Sequence, residues 1–448
     1  MKIALISPKG PLYRHRGGIF KRSLRYAPLT LVHLAALVPE DVQAEVRVFD
    51  EGIEEMPETL DADLVGMTVI TGSARRAYEL AARYRAQGLP VVLGGPHVTL
   101  APEDARPHAD SLVVGYAEET WPQLLRDHAA GRLQPRYDQS PSLSLAGLPH
   151  PRRDLLPRRA YTTTNVFEAS RGCIHDCDFC VVPAAWGRRP YRRPVDEVIA
   201  ELRAVGARKA LFIDLNLIAD KTWARALFEA MIPLKLSWFG LATVLLERDE
   251  ELLDLVARSG CSGLLIGLES ISQQTLDGCR KGFNVADRYA NLIDRLHAKG
   301  ITLMGTFVFG LDGDGPDVFM ETARFAVETA IDLPRFAIVT PFPGTALYGR
   351  LDAEGRILTR DWDLYDGQHV VFQPRGMGVR ELAEGHEAAW RYTYRRRSIL
   401  RRVAGSRLQL PLSLAANWGY RFYAHHLHTH YNCDWFIGQD RPAASRTA

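Results

Sequence analysis

The sequence has no long apolar run, little excess charge and few cysteines. No stretch of about 18 consecutive apolar residues occurs, so a membrane-spanning helix is not expected. The N-terminus reads as a strand ended by Pro8 and Gly10 rather than as a signal peptide, which makes a cytoplasmic location the expectation. A formal net charge of +2 over 448 residues gives no indication of nucleic-acid binding. Six cysteines without a secreted pattern argue against a disulfide framework.

Three of the six cysteines fall in one short segment. Cys173, Cys177 and Cys180 are spaced C-x3-C-x2-C, so one loop can bring three sulfurs to one inorganic centre. A [4Fe–4S] cluster usually takes four thiolates, and three would leave one iron open for a ligand. A Cys3His zinc site with His175 has suitable ligand types, but His175 lies between two cysteines rather than on a separate knuckle. The remaining cysteines are scattered and are predicted to be buried small apolar residues: Cys261, Cys279 and Cys433.

Residues 1–134 alternate short apolar strands with amphipathic helices. This alternation predicts a parallel sheet with helices on both faces, and five strands suit a flavodoxin-like doubly wound domain. The predicted strands are Ile3–Ile6, Ala44–Phe49, Leu64–Val69, Val91–Leu93 and Ser111–Val114.

Glycine and polar residues follow the third, fourth and fifth of these strands, at the edge where such sheets bind ligands. Glycine there lets the backbone approach a large flat ligand, although ordinary turn chemistry would place the same residues. The candidates are Thr71, Gly72, Gly94, Gly95, His97, Gly115 and Glu118.

Residues 135–160 contain repeated proline and are predicted to form an extended linker. Residues 161–355 then repeat strand and helix six times, and polar or glycine residues again follow the strands. In (β/α) barrels that end carries the chemistry. A helix cap, a structural ion pair or a simple turn would explain single positions in this set as well. The candidates are Asp214, Asn216, Glu269, Gly305, Gly310 and Pro343.

The cysteine motif, with Phe179 before its last cysteine, resembles that of the radical S-adenosylmethionine (SAM) enzymes. The strings Gly94-Gly-Pro-His-Val-Thr and Val114-Gly-Tyr-Ala-Glu-Glu-Thr are similar to strand-end motifs of the cobalamin-binding branch of that family. The Asp-x-His-x-x-Gly motif of other cobalamin proteins is absent, so no lower-face histidine can be assigned.

This resemblance implies the fold and the cofactors. We expect an α/β chain with a Rossmann-like cobalamin domain over 1–134, the linker over 135–160, an open (β/α)6 partial TIM barrel over 161–355 and a mostly helical region over 356–448. The three cysteines of the motif would ligate a [4Fe–4S] cluster, and the barrel candidates with Phe179 would hold SAM. The edge glycines and His97 would border cobalamin.

The implied reaction is methylation of an unactivated carbon in a small-molecule or lipid-like substrate. One SAM would supply the methyl group to cobalamin, and a second would be cleaved at the cluster to a 5′-deoxyadenosyl radical that takes hydrogen from the substrate. An electron donor such as flavodoxin or ferredoxin would be needed. The alternatives are a non-methylating cobalamin radical reaction and, in another class, an iron–sulfur electron carrier or sensor.

Two basic stretches lie outside these motifs. Arg188, Arg189, Arg192 and Arg193 follow the cysteines and are more typical of a solvated face than of an anion site. The segment Arg391–Arg402 is basic and amphipathic, and we favour a helix that caps the barrel over one that contacts a membrane. Four histidines near the C-terminus fit no strong metal-ligand spacing: His425, His426, His428 and His430.

Overall fold

The computed structural model describes residues 1–10 and 26–427 and contains two parallel six-stranded sheets. The first sheet has the strand order β2-β1-β3-β4-β5-β6, which is the expected doubly wound arrangement with one strand added. Its strands are β1 (Lys2–Ser7), β2 (Glu45–Asp50), β3 (Leu64–Thr68), β4 (Val91–Gly94), β5 (Ser111–Val114) and β6 (Arg136–Asp138).

The added strand β6 lies at the start of the segment predicted to be a linker. It has three residues, of which only Tyr137 is buried, so it leaves almost no apolar pattern in the sequence. Its backbone nevertheless pairs in parallel with β5, opposite Leu112–Val114. Most of the prolines in this segment therefore follow β6.

Helices cover both faces of the first sheet. Leu80, Ala81 and Tyr84 of one helix are fully buried on one face, and Trp121 and Leu124 of another are buried on the opposite face. Both faces of the strands are therefore apolar, as parallel sheets require. The helices are α1 (Leu29–Ala36), α2 (Ala74–Arg85), α3 (Pro96–Leu100), α4 (Pro102–Ala105) and α5 (Thr120–Ala129).

The second sheet has the order β14-β13-β12-β11-β10-β7, and within the described ranges its edge strands β7 and β14 do not pair with each other. It is therefore an open (β/α)6 barrel, and the six predicted strands are confirmed. A separate antiparallel pair, β8 with β9, lies beside it. The strands are β7 (Val166–Phe167), β8 (Ser170–Arg171), β9 (Tyr191–Arg192), β10 (Lys209–Phe212), β11 (Ser237–Ala242), β12 (Cys261–Glu269), β13 (Thr302–Phe309) and β14 (Arg335–Ile338).

Residues along the barrel strands alternate between buried and half-buried. The buried set faces the helices: Trp238 stacks on Phe228 with ring centroids 5.4 Å apart, and Phe307 meets Phe325 edge to face at 6.4 Å. The half-buried set consequently faces the barrel lumen.

The barrel helices begin where short polar side chains can cap them. Asp220, Asp249, Ser272 and Thr345 each accept a hydrogen bond from a backbone N–H of the first turn. The helices are α6 (Val181–Trp186), α7 (Val195–Val205), α8 (Lys221–Met231), α9 (Glu250–Arg258), α10 (Gln273–Gly278), α11 (Tyr289–Ala298), α12 (Val318–Glu328) and α13 (Ala346–Ala353).

Three further helices follow the barrel: α14 (Val379–Thr393), α15 (Arg396–Ser406) and α16 (Leu410–Ala424). Helix α14 packs beside β14 and α12, α15 packs beside α12, and α16 packs on α14 and α15. The basic segment 391–402 is split between α14 and α15 rather than forming one helix. Arg402 is fully buried and donates to the carbonyl oxygens of Ile331 and Asp332 at 3.1 and 2.8 Å. The expectation that this segment caps the barrel is therefore confirmed. In the ranges that the structure describes, none of the helices has the length and apolar character that crossing a membrane requires.

Candidate functional site

The cysteine loop begins just beyond the carboxyl end of β7, and its base is closed by the β8–β9 pair. Gly172 adopts φ +82°, and a β-carbon there would lie 2.6 Å from the carbonyl oxygen of Arg189. Asp214 is fully buried and accepts hydrogen bonds from the backbone N–H groups of Ala169, at 3.1 Å, and Ser170. Burial, with Glu168 adding to it, raises the pKa of Asp214 to about 7. Asp214 thus fixes the entrance of the loop, and its carboxylate faces the backbone rather than a ligand.

The three cysteines of the loop differ in exposure. Cys177 is buried, while Cys173 and Cys180 are half-buried. Burial raises the pKa of Cys177 to about 12, although Lys281 opposes this rise. Across the described residues, no three His, Cys, Asp or Glu side chains are placed to hold a single metal ion. A cubane cluster offers a different iron to each thiolate, so its ligands need not converge on one point, and the three-thiol donor set of the loop suits it.

Lys281 lies beside this loop and pairs with Glu269, the last residue of β12. Its ammonium nitrogen is 5.9 Å from the ring centroid of Phe179 and 5.8 Å from that of Phe283. Burial lowers the pKa of Lys281, but the nearby Glu269 and Cys177 have the larger effect, so the pKa of Lys281 is raised above its usual value. Glu269 thus has the structural ion pair that the sequence left open as an alternative, and its partner is this lysine. A buried cation next to two thiol groups is what an anionic cluster site needs.

Two more contacts hold the loop. The Nδ2 group of Asn216 lies 3.8 Å from the sulfur of Cys173. Asp178 accepts a hydrogen bond from Arg350 of α13 at 2.9 Å, and its carbonyl oxygen accepts one from the N–H of Leu347 at the same distance. The loop is therefore tied to the second strand–helix unit and to the sixth at once.

The glycine and proline candidates of the barrel are placed differently from one another. Gly305 is in the interior of β13 on the face that meets the helices, where a β-carbon would lie 3.2 Å from Ile331. Gly305 therefore makes room for packing between β13 and the helices rather than facing the lumen. Gly310 ends β13 with φ +91°, and its N–H donates to Asp314 at 2.9 Å. Pro343 is buried in the turn after β14.

A cavity of about 230 Å³ lies between the carboxyl edge of the first sheet and the cysteine loop. Gly94, Gly95, Gly115 and Glu118 line it from the first domain, together with apolar side chains such as Trp121. Gly95 adopts φ +100°, and a β-carbon there would lie 2.8 Å from a backbone nitrogen. Bare backbone at a deep, mostly apolar edge is suited to part of a large flat cofactor.

Charged residues close this cavity on the barrel side. Glu118 is almost fully buried and pairs with Arg171 and with His33, the latter at 3.0 Å. Arg171 also donates to Glu168 at 2.6 Å, and its guanidinium lies 4.9 Å from the ring centroid of Tyr116. Burial raises the pKa of Glu118, but Arg171 and His33 outweigh it and bring the value to about 2. An ion pair thus joins the cofactor edge of one domain to the residue two before Cys173.

Thr71, Gly72 and His97 do not line this cavity. His97 is fully buried, with one ring nitrogen 3.3 Å from the hydroxyl of Thr71 and the other 3.0 Å from Asp104. Trp362, from the chain that follows the barrel, donates to the same aspartate at 3.2 Å. His97 therefore lies away from this cavity, and these side chains join the two domains.

Several residues of the site carried no recognisable signal in the sequence. Lys281 follows a short helix with no motif around it, and His33 lies on an ordinary amphipathic helix. Arg171 lies two residues before Cys173, outside the spacing that defines the cysteine motif. Of the four arginines after the loop, Arg193 is buried and pairs with Glu201, so it is not part of a solvated face. His428 and His430 lie outside the described residues, and His425 contacts Arg421 at 3.0 Å.

Sequence comparisons agree with this two-domain site. Residues 17–125 match a B12 binding domain, residues 167–326 match the Radical SAM superfamily, and residues 345–438 match a domain of unknown function (DUF4070). The fold and site thus define a radical SAM enzyme with a B12-binding domain. Membership of that class also decides against a zinc site and against a simple iron–sulfur electron carrier.

The curated relatives narrow the class. The chain is 30% identical to bacteriochlorophyllide d C-12(1)-methyltransferase of Chlorobaculum tepidum, with 85% of each chain covered. It is 32% identical to bacteriochlorophyllide d C-8(2)-methyltransferase of the same organism, over 70% of this chain and 73% of that one. The solved structure of the radical SAM methyltransferase TsrM from Kitasatospora setae has the same fold, with TM-score 0.63, 20% identity and 79% and 78% of the chains covered.

The chain therefore belongs to the cobalamin-dependent radical SAM methyltransferases. Its cofactors are a [4Fe–4S] cluster, SAM and cobalamin. It is an enzyme that methylates an unactivated carbon, and a non-methylating reaction is not favoured.

Proposed function

We propose that the substrate is a small, mostly apolar polycyclic molecule of the chlorophyllide type, methylated on a peripheral carbon. The observation that supports this most is the inner face of the barrel, where most half-buried positions of the strands are apolar, with Thr302 and Thr306 of β13 as polar exceptions. The two bacteriochlorophyllide methyltransferases point to the same chemical class. The inward positions are Leu211, Phe239, Leu241, Leu265, Met304 and Val308.

In this proposal the cysteine loop carries the cluster through Cys173, Cys177 and Cys180. When bound, the cluster supplies the electron that cleaves SAM, and cobalamin supplies the methyl group. Lys281 and Asn216 lie beside the loop. The ammonium group of Lys281 would compensate the negative charge of the thiolates, and the amide of Asn216 would donate a hydrogen bond to Cys173. Phe179 and Glu269 complete the pocket for SAM, and the pairing of Glu269 with Lys281 fixes both groups.

Cobalamin would take the edge of the first sheet that Gly94, Gly95, Gly115 and Glu118 border. Because both ring nitrogens of His97 lie within bonding distance of protein groups, we propose that it does not serve as a ligand to cobalt. The ion pair of Arg171 with Glu118 would hold this edge and the cysteine loop in a constant relation. Exclusion of water from the space between them would protect a radical from side reactions.

The electron donor is proposed to be a small acidic protein such as flavodoxin or ferredoxin. Arg188 and Arg280 are exposed and contact the cysteine loop, at the carbonyl oxygen of Ile174 and at Asp176. They would give an acidic partner a short route to the cluster. The cysteines of the described chain are unpaired, which agrees with a reducing compartment, and we propose the cytoplasm.

The proposal is tested by anaerobic reconstitution with iron, sulfide, cobalamin, SAM and a chemical reductant. A chlorophyllide-type tetrapyrrole is offered in one arm, and a polycyclic lipid in the other. We expect 5′-deoxyadenosine, S-adenosylhomocysteine and a product heavier by one CH2 in the tetrapyrrole arm only. A methylated lipid with an unchanged tetrapyrrole would overturn the substrate class.

The cysteine assignment has a matched control in the same protein. Cys173→Ala, Cys177→Ala or Cys180→Ala should remove the visible absorbance of the cluster and reduce iron content. Cys279→Ala should keep both the absorbance and the iron content, because Cys279 is buried at the end of α10 and lies outside the motif. Retention of a full cluster in the Cys177→Ala variant would refute the assignment.

A further inference from the structure

The last two described helices carry most of the large apolar side chains that the structure leaves exposed. Six of the eleven such side chains in the described ranges lie on α15 and α16. Leu400 is 62% exposed, Leu412 61% and Trp418 55%, and the other three are more than 40% exposed. A cluster of this kind on one part of a surface is typical of a binding face. The six are Leu400, Leu410, Leu412, Leu414, Trp418 and Phe422.

Helix α16 presents large apolar side chains on its exposed side. Leu410, Leu414, Trp418 and Phe422 follow one another every four residues, so they form a single ridge. The opposite face is buried and partly polar: Asn417 is fully buried and donates to the carbonyl oxygen of Asp332 at 3.2 Å. The same side packs Tyr420 and Tyr423 against Trp390, with ring centroids 6.1 and 5.1 Å apart, so α16 has apolar side chains on both sides and leaves the ridge exposed. The contact of Asn417 fixes the rotation of the helix, so the ridge cannot turn inward.

The segment that carries this ridge has charge of one sign. Residues 388–427 contain eight arginines and no aspartate or glutamate. Arg396, Arg397, Arg401 and Arg407 are exposed on or next to α15, which packs against α16. Leucine, tryptophan and phenylalanine beside exposed arginines are the composition of helices that lie in the interface of anionic membranes.

We propose that α15 and α16 form a docking face for an anionic phospholipid bilayer. The ridge would enter the boundary between headgroups and acyl chains, and the arginines would contact the phosphates. The face is not the single basic helix over 391–402 expected from the sequence, since Arg402 of that segment is buried. Docking requires neither the cofactors nor the substrate proposed above, so its test is independent of both.

The test uses the full-length chain and sedimentation with vesicles. Vesicles made from equal parts of phosphatidylglycerol and phosphatidylcholine should carry the protein down, and vesicles of phosphatidylcholine alone should bind at least tenfold less. Binding should weaken with added salt, because the arginines act through charge. Leu414→Ser with Trp418→Ser should reduce binding to the anionic vesicles at least tenfold. Both side chains are exposed, so the fold should persist, as the circular dichroism spectrum would verify.

Matched variants separate this face from other sources of adhesion. Leu358→Ser changes a leucine that is 37% exposed outside these helices, and vesicle binding should stay unchanged. Arg397→Ser with Arg401→Ser should lower binding to the anionic vesicles only. The proposal is overturned if the wild-type chain does not sediment with anionic vesicles, or if the double serine variant binds as well as the wild type. It is equally overturned if light scattering shows a dimer that this variant dissolves while vesicle binding is absent, since the face would then join two copies of the chain.

Discussion

Replacement of Glu118 by glutamine tests whether the ion pair with Arg171 holds the two domains together. The substitution keeps the shape of the side chain and removes its charge, so Arg171 retains only Glu168 as an acidic partner. The pKa of Glu118 falls from 4.5 to about 2 in the folded chain. That difference corresponds to about 3 kcal/mol of folding free energy. Loss of one member of a buried pair costs a similar amount.

The stabilisation that Glu118 provides should depend on pH. Because the folded pKa is lowered, the stabilisation is complete above pH 4.5 and is lost as the pH falls toward 2. Glu118→Gln should therefore lower the unfolding free energy by about 3 kcal/mol at pH 7, and the difference from wild type should shrink by roughly 1 kcal/mol at pH 4. Urea unfolding followed by tryptophan fluorescence measures both values.

An exposed ion pair in the first domain provides the control for Glu118→Gln. Asp41 and Arg126 form an exposed pair within the first domain, with side chains 61% and 45% exposed, and Asp41→Asn should leave the transition unchanged. Cobalamin content per chain should fall in Glu118→Gln and stay constant in Asp41→Asn. If Glu118→Gln unfolds like wild type at pH 7, the pair does not stabilise the domain contact.

Two further substitutions test the backbone at the cavity and the packing of α15, and each has a control position that should tolerate the same change. Gly95→Ala should cost about 2 kcal/mol more than Gly88→Ala, because both residues have positive φ but only at Gly95 would the β-carbon meet backbone, at 2.8 Å; equal melting temperatures would contradict this. Arg402→Met should lower the unfolding free energy by about 3 kcal/mol, since it removes the buried hydrogen bonds that Arg402 donates to the carbonyl oxygens of Ile331, Asp332 and Thr393. The exposed neighbour Arg401→Met should change it by less than about 0.5 kcal/mol, and similar losses in both variants would argue against the buried bonds.

The sequence predicted the two sheets well because their strands are runs of buried apolar residues with glycine or polar residues after them. The exception, β6, is too short and too polar to leave such a pattern. The alternation of residues along β13 also indicates the side of the sheet on which Gly305 lies. Gly305 has the same parity as Leu303 and Phe307, which are fully buried against the helices, so it shares their outward face.

The pairings within the site could not be predicted in the same way. Arg171 and Glu118 are 53 positions apart, and Trp362 and Asp104 are 258 apart. Nothing in the local pattern of either partner specifies the other, because such contacts depend on how finished domains pack. The pairing of Lys281 with Glu269 spans only 12 positions, but a helix and a turn lie between them.

The bond from Trp362 to Asp104 has a consequence for how the enzyme can move. The chain passes from the first domain into the barrel, and after the barrel it returns to touch the first domain again, where Gly344 also lies close to Leu100. These contacts hold the B12-binding domain against the barrel in addition to its connecting segment, and they oppose a swing of that domain. We therefore expect that the small molecule to be methylated, rather than a protein domain, moves during turnover.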